Sequence, residues 1–168
     1  MMKSEEFSVK KKLLGLLCEK NITFSAAESC TGGLVLEMLT SLPGASSVIL
    51  GGVVSYSNSV KENVLGVPSE TLERFGAVSR ECALEMAEGV RRITGSDISV
   101  SVTGIAGPDG GTPEKPVGTV CFGVSYKDKA DSVRVNFDES LSRDEIRMSA
   151  ANYAMELAAN RIGCDSNA

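Results

Sequence analysis

The chain has 168 residues, of which 42% are hydrophobic and 23% are charged. That length matches one ordinary domain, and that composition is close to the average of soluble globular proteins, so we do not expect a disordered chain. The formal net charge of −5 repels polyanions, so neither nucleic acid nor an anionic membrane surface is an expected partner.

Cysteine usage and the N-terminus both point to the cytoplasm. The five cysteines are an odd number, and no Cys-x-x-Cys pair or zinc-site spacing occurs among them, so neither a disulfide framework nor a metal site is expected. No apolar run approaches the roughly 18 residues of a membrane helix, and Met1 to Glu6 lack the apolar core of a signal peptide. A cytoplasmic protein without membrane contact follows.

The first half of the chain alternates between helical and strand patterns. Apolar residues between Val9 and Leu17 recur at helical spacing and predict an amphipathic helix. Ile22 to Ala27 predicts a short strand, followed by a tight turn and a helix from Leu34 to Leu39. Val48 to Tyr56 is a long apolar run typical of a buried strand. The order strand, turn, helix places Ser29 in the turn.

The second half continues the alternation. Pro68 to Thr71 and Ser79 to Glu81 predict two helix starts, and the second helix should run to Thr94, before Gly95. Ile98 to Val102 predicts the next strand. The glycines and prolines of 103–116 then predict a long loop, which is either functional or, in the plainer alternative, a structural turn.

The end of the chain predicts two strands and a helix. Val117 to Tyr126 and Val133 to Phe137 should form a hairpin joined by 127–130, and Ser142 to Glu145 form a capping box for the last helix. We therefore expect a single α/β domain over residues 1–168. Its architecture should be a three-layer α/β/α sandwich with a mixed, mostly parallel sheet and ligands at the carboxyl ends of the strands.

Ser29 and Lys61 are the main candidates for chemistry. The chain has no histidine, so the base that usually activates a serine hydroxyl is missing and lysine is the strongest remaining candidate. The plainer alternatives are that Ser29 caps a helix and that Lys61 is an exposed helix lysine. A basic lysine must be neutral, which needs a pKa about 3 units below its usual value of about 10.4. Glu28 would oppose that shift if it lay close, so we expect its carboxylate either to point away or to bind backbone groups instead.

Other residues frame this pair. Gly32 and Gly33 leave the backbone amides beside Thr31 open to a ligand, and those amides could form an oxyanion hole. Tyr56 could relay the proton or donate to the developing oxyanion, or could simply pack at a strand end. Arg143 and Arg147 lie four apart on one predicted helix face and could hold a phosphate, or could form a solvated face. Cys30 has no histidine to activate it and is interpreted as a packing residue.

Three motifs in order resemble the CinA C-terminal domain family, also called the PncC family. They are Ser25 to Gly33, Gly52 to Lys61 and Val102 to Gly118, and the resemblance covers about residues 8 to 160. Members of that family include amidohydrolases that convert nicotinamide mononucleotide to nicotinate mononucleotide and ammonia in pyridine nucleotide recycling. The resemblance therefore implies a nucleotide-binding enzyme without a cofactor, and a homo-oligomer is compatible with it.

The resemblance also implies roles for particular residues. Ser29 would be the nucleophile, Lys61 its base and Tyr56 a catalytic partner. The serine turn and the glycine loop would bind the substrate, and one arginine would bind its phosphate. The residues implied are Thr31, Gly32, Gly33, Thr103, Gly104, Ala106, Gly107 and Arg147. Where the family commonly has Gly-Asp-Arg, this chain has Leu141-Ser142-Arg143.

Two other functions fit the same motifs. The first is a nucleotide-sensing or partner-binding module whose pocket binds without reacting. The second is an amidase with the same nucleophile and a different small substrate. Reaction of Ser29 with an amide or ester probe, and its loss in Lys61→Met, would separate the module from the enzymes.

Overall fold

A computed structural model describes the backbone of residues 2–165 and the side chains of residues 9–165. The expectation about the signal peptide rests on Met1 to Glu6, whose side chains lie outside the described residues. Within the described range the chain forms six α-helices and five strands. The helices are α1 (Met2–Lys20), α2 (Leu34–Thr40), α3 (Asn58–Asn63), α4 (Ser69–Phe75), α5 (Arg80–Thr94) and α6 (Arg143–Asp165). The strands are β1 (Phe24–Glu28), β2 (Ile49–Val54), β3 (Ile98–Gly104), β4 (Thr119–Tyr126) and β5 (Lys129–Asn136).

The strands form one mixed sheet in the order β2-β1-β3-β4-β5. β1 pairs in parallel with both β2 and β3, whereas β4 pairs antiparallel with β3 and β5. Four strands therefore run in one direction and β4 runs against them. Because β1, β2 and β3 are parallel, their carboxyl ends meet at one edge of the sheet, where ligands of such sheets bind.

Helices cover both faces of the sheet. Side chains alternate between the faces along a strand, so Ala26 packs into the larger hydrophobic cluster with α1, α2 and α6. Ala27 packs on the other side with Met86 and Val90 of α5. The predicted three-layer α/β/α sandwich with a mixed sheet is confirmed, and its central layer is closed from both sides by apolar side chains.

The interpretation of Val48 to Tyr56 as a buried strand is wrong. β2 is the end strand of the sheet and pairs only with β1, so residues along it alternate between half-buried and exposed. Leu50 and Val54 are 49% and 50% exposed. A continuous apolar run is equally compatible with a central strand and with an edge strand, and only the topology distinguishes them.

The C-terminal strands differ from the prediction in several boundaries: β4 begins at Thr119 rather than Val117, and β5 ends at Asn136 rather than Phe137. β5 begins at Lys129, which pairs with Tyr126, so the hairpin turn contains only Lys127 and Asp128 rather than four residues. The capping box of α6 is confirmed, because the Ser142 amide donates to Glu145 Oε2 at 2.7 Å and the Glu145 amide donates to Ser142 Oγ at 3.3 Å. α3, the short helix that carries Lys61, was predicted only through the alternative that Lys61 is an exposed helix lysine, and Lys61 is buried. None of the helices within the described residues has the length and apolarity needed to cross a membrane.

Candidate active site

Ser29 lies directly after β1, at the carboxyl edge of the sheet. Its amide donates to the Val102 carbonyl of β3 at 2.9 Å, which extends the β1–β3 pairing by one residue. The side chain is only 8% exposed. The serine is therefore fixed by the sheet rather than by a free loop.

The turn after Ser29 depends on two glycines. Gly32 and Gly33 have φ values of 60° and 105°, which lie in the left-handed region that a side chain disfavours. The Gly32 amide donates to the Ser29 carbonyl at 3.0 Å, and this bond closes the turn. α2 can therefore start immediately after it.

Glu28 binds the start of α2, as expected from its position. Its carboxylate is fully buried and accepts hydrogen bonds from the amides of Val35, at 2.8 Å, and Leu36, at 3.2 Å. Free amides at a helix N-terminus carry partial positive charge. The negative charge of Glu28 is therefore directed to backbone groups.

Lys61 reaches Ser29 from α3. Ser57 caps that helix by accepting from the Val60 amide at 3.3 Å, and the following turn directs Lys61 into the protein, where it is 1% exposed. Its Nζ donates to Ser29 Oγ at 3.2 Å and to the Ser55 carbonyl at 2.6 Å. The predicted nucleophile and base are in direct contact.

Burial lowers the pKa of Lys61 from its ordinary value, because the charged amine loses its hydration. The thiols of Cys82 and Cys30 oppose this shift. Burial, however, raises the pKa of Cys82 to about 11 and that of Cys30 to about 12, so both thiols are uncharged at neutral pH. They supply no negative charge to hold the lysine protonated.

A pocket of about 290 Å³ opens over Ser29 and Lys61. That volume is near the lower end of the range for small-molecule sites, about 300 Å³. Its walls come from the serine turn, the segment from β2 to α3, the connection between α4 and α5, the glycine loop and the start of α6. The lining residues are Ser29, Cys30, Tyr56, Asn58, Lys61, Ala77, Val78, Thr103, Gly104, Ile105, Ala106, Gly107, Asp109, Gly110 and Arg143.

Hydrogen bonds hold these walls together. Arg143 donates from Nη1 to the Gly107 carbonyl at 2.6 Å and from Nη2 to the Tyr56 hydroxyl at 3.1 Å, so it joins α6 to two walls. Thr103 Oγ1 donates to the Ala77 carbonyl at 2.9 Å. Lys115 Nζ donates to the Phe75 carbonyl at 2.7 Å, at the end of α4. The long glycine loop is thus attached to the rest of the pocket at several points.

Most of the residues expected at the site meet in this pocket. Ser29, Lys61 and Tyr56 line it, although the Tyr56 hydroxyl is bonded to Arg143 and not to the serine or lysine. The predicted glycine-loop residues also line it; they are Thr103, Gly104, Ala106 and Gly107. The expected roles of these residues stay predictions.

Other expected residues do not line the pocket. Thr31, Gly32 and Gly33 form the serine turn and are not among the lining residues. Arg147 donates from Nε to the Cys30 carbonyl at 3.1 Å and from Nη2 to the Thr31 carbonyl at 3.0 Å. In this arrangement it supports the turn, and Arg143 is the arginine that lines the pocket.

Sequence reasoning gave four lining residues no role in a site, and one of them, Cys30, was interpreted as a packing residue. Asn58 lies inside the motif that carries Tyr56 and Lys61, so its position gave a usable signal. Ala77 and Val78 lie in the connection between α4 and α5, and two small apolar residues between helices carry no signal of a site.

Comparison with known proteins shows the family of the chain. The CinA C-terminal domain family matches residues 6–162. The chain belongs to the CinA C-terminal domain family. It is 49% identical over 141 residues to a CinA-like protein of Thermotoga sp. strain RQ2, covering 84% of this chain and 34% of that protein. It is 46% identical over 160 residues to the CinA-like protein of Pseudothermotoga lettingae, covering 95% of this chain and 38% of the relative.

Solved structures of CinA proteins have the same fold. The competence/damage inducible protein CihA from Agrobacterium tumefaciens matches with a TM-score of 0.89 and 38% identity, over 93% of this chain and 96% of that one. A CinA superfamily protein from Klebsiella pneumoniae matches with a TM-score of 0.89 and 30% identity, over 94% and 98% of the two chains. By contrast, the chain spans about a third of the length of the curated CinA-like relatives.

Proposed function

We propose that this protein hydrolyses the carboxamide of nicotinamide mononucleotide to nicotinate mononucleotide and ammonia. The observation that carries the proposal is the buried Lys61 Nζ, 3.2 Å from Ser29 Oγ, in a chain that contains no histidine. Membership of the CinA C-terminal domain family, which includes nicotinamide mononucleotide amidohydrolases, supports the choice of substrate.

In the first half of the reaction, neutral Lys61 takes the proton of Ser29. Ser29 Oγ attacks the carboxamide carbon and forms a tetrahedral intermediate. Lys61 then gives the proton to the amide nitrogen, the C–N bond breaks and ammonia leaves. An acyl-enzyme ester of Ser29 is formed.

In the second half, Lys61 takes a proton from water, and the resulting hydroxide attacks the ester carbonyl. Ser29 leaves with the proton returned by Lys61, and nicotinate mononucleotide is released. One water is consumed and one ammonia is produced.

The backbone of the serine turn stabilises the oxyanion in this proposal. The amides of Gly32 and Leu34 already donate to the carbonyls of Ser29 and Thr31, each at 3.0 Å. We therefore assign the oxyanion to the amide of Cys30, which follows the nucleophile directly and belongs to a residue that lines the pocket.

The phosphate binds at Arg143. This side chain lines the pocket and presents a guanidinium, the group best suited to bidentate phosphate binding. Binding would exchange its present bonds to Gly107 and Tyr56 for phosphate oxygens. The Tyr56 hydroxyl would then be released toward the substrate.

The test is ammonia release from nicotinamide mononucleotide by the purified wild type, Ser29→Ala and Lys61→Met, with folding checked by circular dichroism. We expect each variant to lose about 10³-fold or more in kcat. Ser47→Ala, which removes an exposed hydroxyl away from the pocket, is the control and should match the wild type.

Two results would overturn the proposal. Calorimetric binding of the mononucleotide without ammonia release by a well-folded wild type would favour the binding module. Ammonia release from another amide, with none from the mononucleotide, would favour a different amidase substrate.

A further inference from the structure

A lysine that acts as a base needs its lone pair directed at the nucleophile. The neutral amine has two N–H bonds and one lone pair, and a buried N–H without an acceptor is costly. If the lone pair of Lys61 faces Ser29 Oγ, both N–H groups need acceptors elsewhere. A working base at this position therefore needs two acceptors near Nζ in addition to Ser29 Oγ.

One acceptor is present and a second is missing. The Ser55 carbonyl lies 2.6 Å from Nζ and takes one N–H. The other bond of Nζ is to Ser29 Oγ, at 3.2 Å, which is the position that the lone pair must occupy when the serine gives up its proton. The second N–H then has no acceptor among these contacts.

Ser55 itself carries an unused acceptor. The residue is fully buried, and its Oγ has no hydrogen-bond partner among the described residues. Its amide donates to the Glu28 carbonyl at 2.8 Å, which fixes the backbone beside Ser29. A serine hydroxyl turns about one carbon–carbon bond, so it can change partner without moving that backbone.

We propose that Ser55 is a positioning residue whose hydroxyl accepts the second N–H of neutral Lys61 and so holds the lone pair toward Ser29. The carbonyl and the hydroxyl of one residue then bind the two N–H groups of the base. This inference rests on the proposed role of Lys61 as the base.

The test uses an isosteric pair. Ser55→Thr keeps the hydroxyl and Ser55→Val replaces it with a methyl group in the same shape, so both add the same bulk to a buried position. Ser55→Ala removes the hydroxyl without adding bulk. Ser99→Ala is the control, because it removes another buried hydroxyl. Ser99 lies near the start of β3 and donates to the Ala87 carbonyl of α5.

The first readout needs no substrate. The pKa of Lys61 is measured by NMR with 13Cε-labelled lysine, and its signal is assigned by its loss in Lys61→Met. An acceptor stabilises the ammonium more than the amine, so its removal lowers the pKa. We expect a lower pKa in Ser55→Ala and Ser55→Val than in the wild type, Ser55→Thr and Ser99→Ala.

The titratable groups that act on the pKa of Lys61 are the same in the wild type and in all the Ser55 variants. They are the thiols of Cys82 on α5 and Cys30 in the serine turn, and all the Ser55 variants leave them in place. A pKa that is unchanged or higher in Ser55→Ala and Ser55→Val would overturn the inference.

The second readout is turnover. Ser55→Ala and Ser55→Val should lose about 10- to 100-fold in kcat, part of the roughly 10²–10⁴-fold that a positioned base contributes, with KM within about twofold of the wild type. The acid limb of the kcat profile should move to lower pH with the pKa of Lys61, and Ser55→Thr should retain most of the activity. Turnover by Ser55→Val equal to that of Ser55→Thr would contradict the role.

Failure of the proposed function gives a different pattern. A wild type that releases no ammonia from the mononucleotide overturns the function, whereas the NMR titration still decides whether Ser55 binds Lys61.

Discussion

Lys61 differs from the other lysines whose side chains are described, between residues 9 and 165, because it alone is buried. Its amine faces a serine hydroxyl and a carbonyl, and the thiols of Cys82 and Cys30, which act on its pKa, have raised pKa values themselves. Burial of this lysine lowers the stability of the fold, because the charged form that water would stabilise is disfavoured. The same burial favours the neutral amine, which is the form that acts as a base.

Stability should therefore depend on pH through Lys61. Its pKa is lower in the native protein than in the unfolded chain, so between the two values the unfolded chain binds more protons and the unfolding free energy of the wild type rises with pH. This rise ends near the unfolded pKa, about 10.4. Lys61→Met removes the group and with it the rise.

Urea unfolding at pH 7 and pH 10 measures this effect. The stability of Lys61→Met relative to the wild type should decrease from pH 7 to pH 10, by on the order of 1 kcal/mol. Lys129→Met, at an exposed position on β5, should show no such change. A pH-independent difference for Lys61→Met would mean that the native pKa is not lowered.

The two arginines near the pocket should have different functions. Arg143 lines the pocket, whereas Arg147 donates to carbonyls of the serine turn. In Arg143→Met, the ratio of kcat/KM for nicotinamide mononucleotide to that for nicotinamide riboside, which lacks the phosphate, should fall about 10- to 100-fold. In Arg147→Met, that ratio should stay within about threefold while turnover of both substrates falls.

Steady-state kinetics of both variants with the two substrates show which arginine binds the phosphate. The reverse pattern would assign the phosphate to Arg147, as the family resemblance implies.

At the scale of elements, the segment from β1 through the turn to α2 forms the core of the site. α2 has seven residues, and helices that short are not stable by themselves. The buried carboxylate of Glu28 binds two amides of its first turn. β1 therefore holds both the nucleophile and the start of the helix that follows it.

Glu28→Gln should destabilise this segment. The glutamine amide offers one oxygen and places N–H groups against the helix amides, so we expect a loss of about 1–3 kcal/mol in unfolding free energy. Glu37→Gln, at an exposed position in the first turn of the same helix, should change it by less than about 0.5 kcal/mol. Equal losses in urea unfolding would contradict a specific role for the Glu28 carboxylate.

At the scale of the whole molecule, packing and not covalent cross-links holds the fold together. All five cysteines are free; Cys18 and Cys164 are exposed and the other three are buried. The expectation that no disulfide framework forms stays a prediction. Burial raises the pKa of all three buried thiols, which lowers their reactivity, since the thiolate is the nucleophile.

Thiol labelling tests this arrangement. A disulfide reagent at pH 8 should modify the two exposed cysteines of the native protein rapidly and all five after denaturation. Unfolding free energy should be the same with and without reductant. Rapid modification of a third thiol in the native state would show that a buried cysteine is accessible.

Much of the fold was predictable because its signals are local. Helical spacing predicted α1, capping residues predicted the starts of α4, α5 and α6, and Gly95 predicted where α5 ends. The position of Ser29 in a turn between a strand and a helix was predictable for the same reason. The absence of histidine from the sequence narrowed the choice of base through residue chemistry alone.

The tertiary structure decided which residues are exposed and which distant segments contact each other. The sequence by itself determined the types of the main elements and the candidate pair Ser29 and Lys61, because periodicity, caps and residue chemistry are properties of neighbouring residues. Only the fold decided that β2 is an edge strand, that Arg143 rather than Arg147 lines the pocket and that Ala77 and Val78 form a wall. Exposure and contact depend on which distant segments pack together, and short-range patterns do not specify that packing.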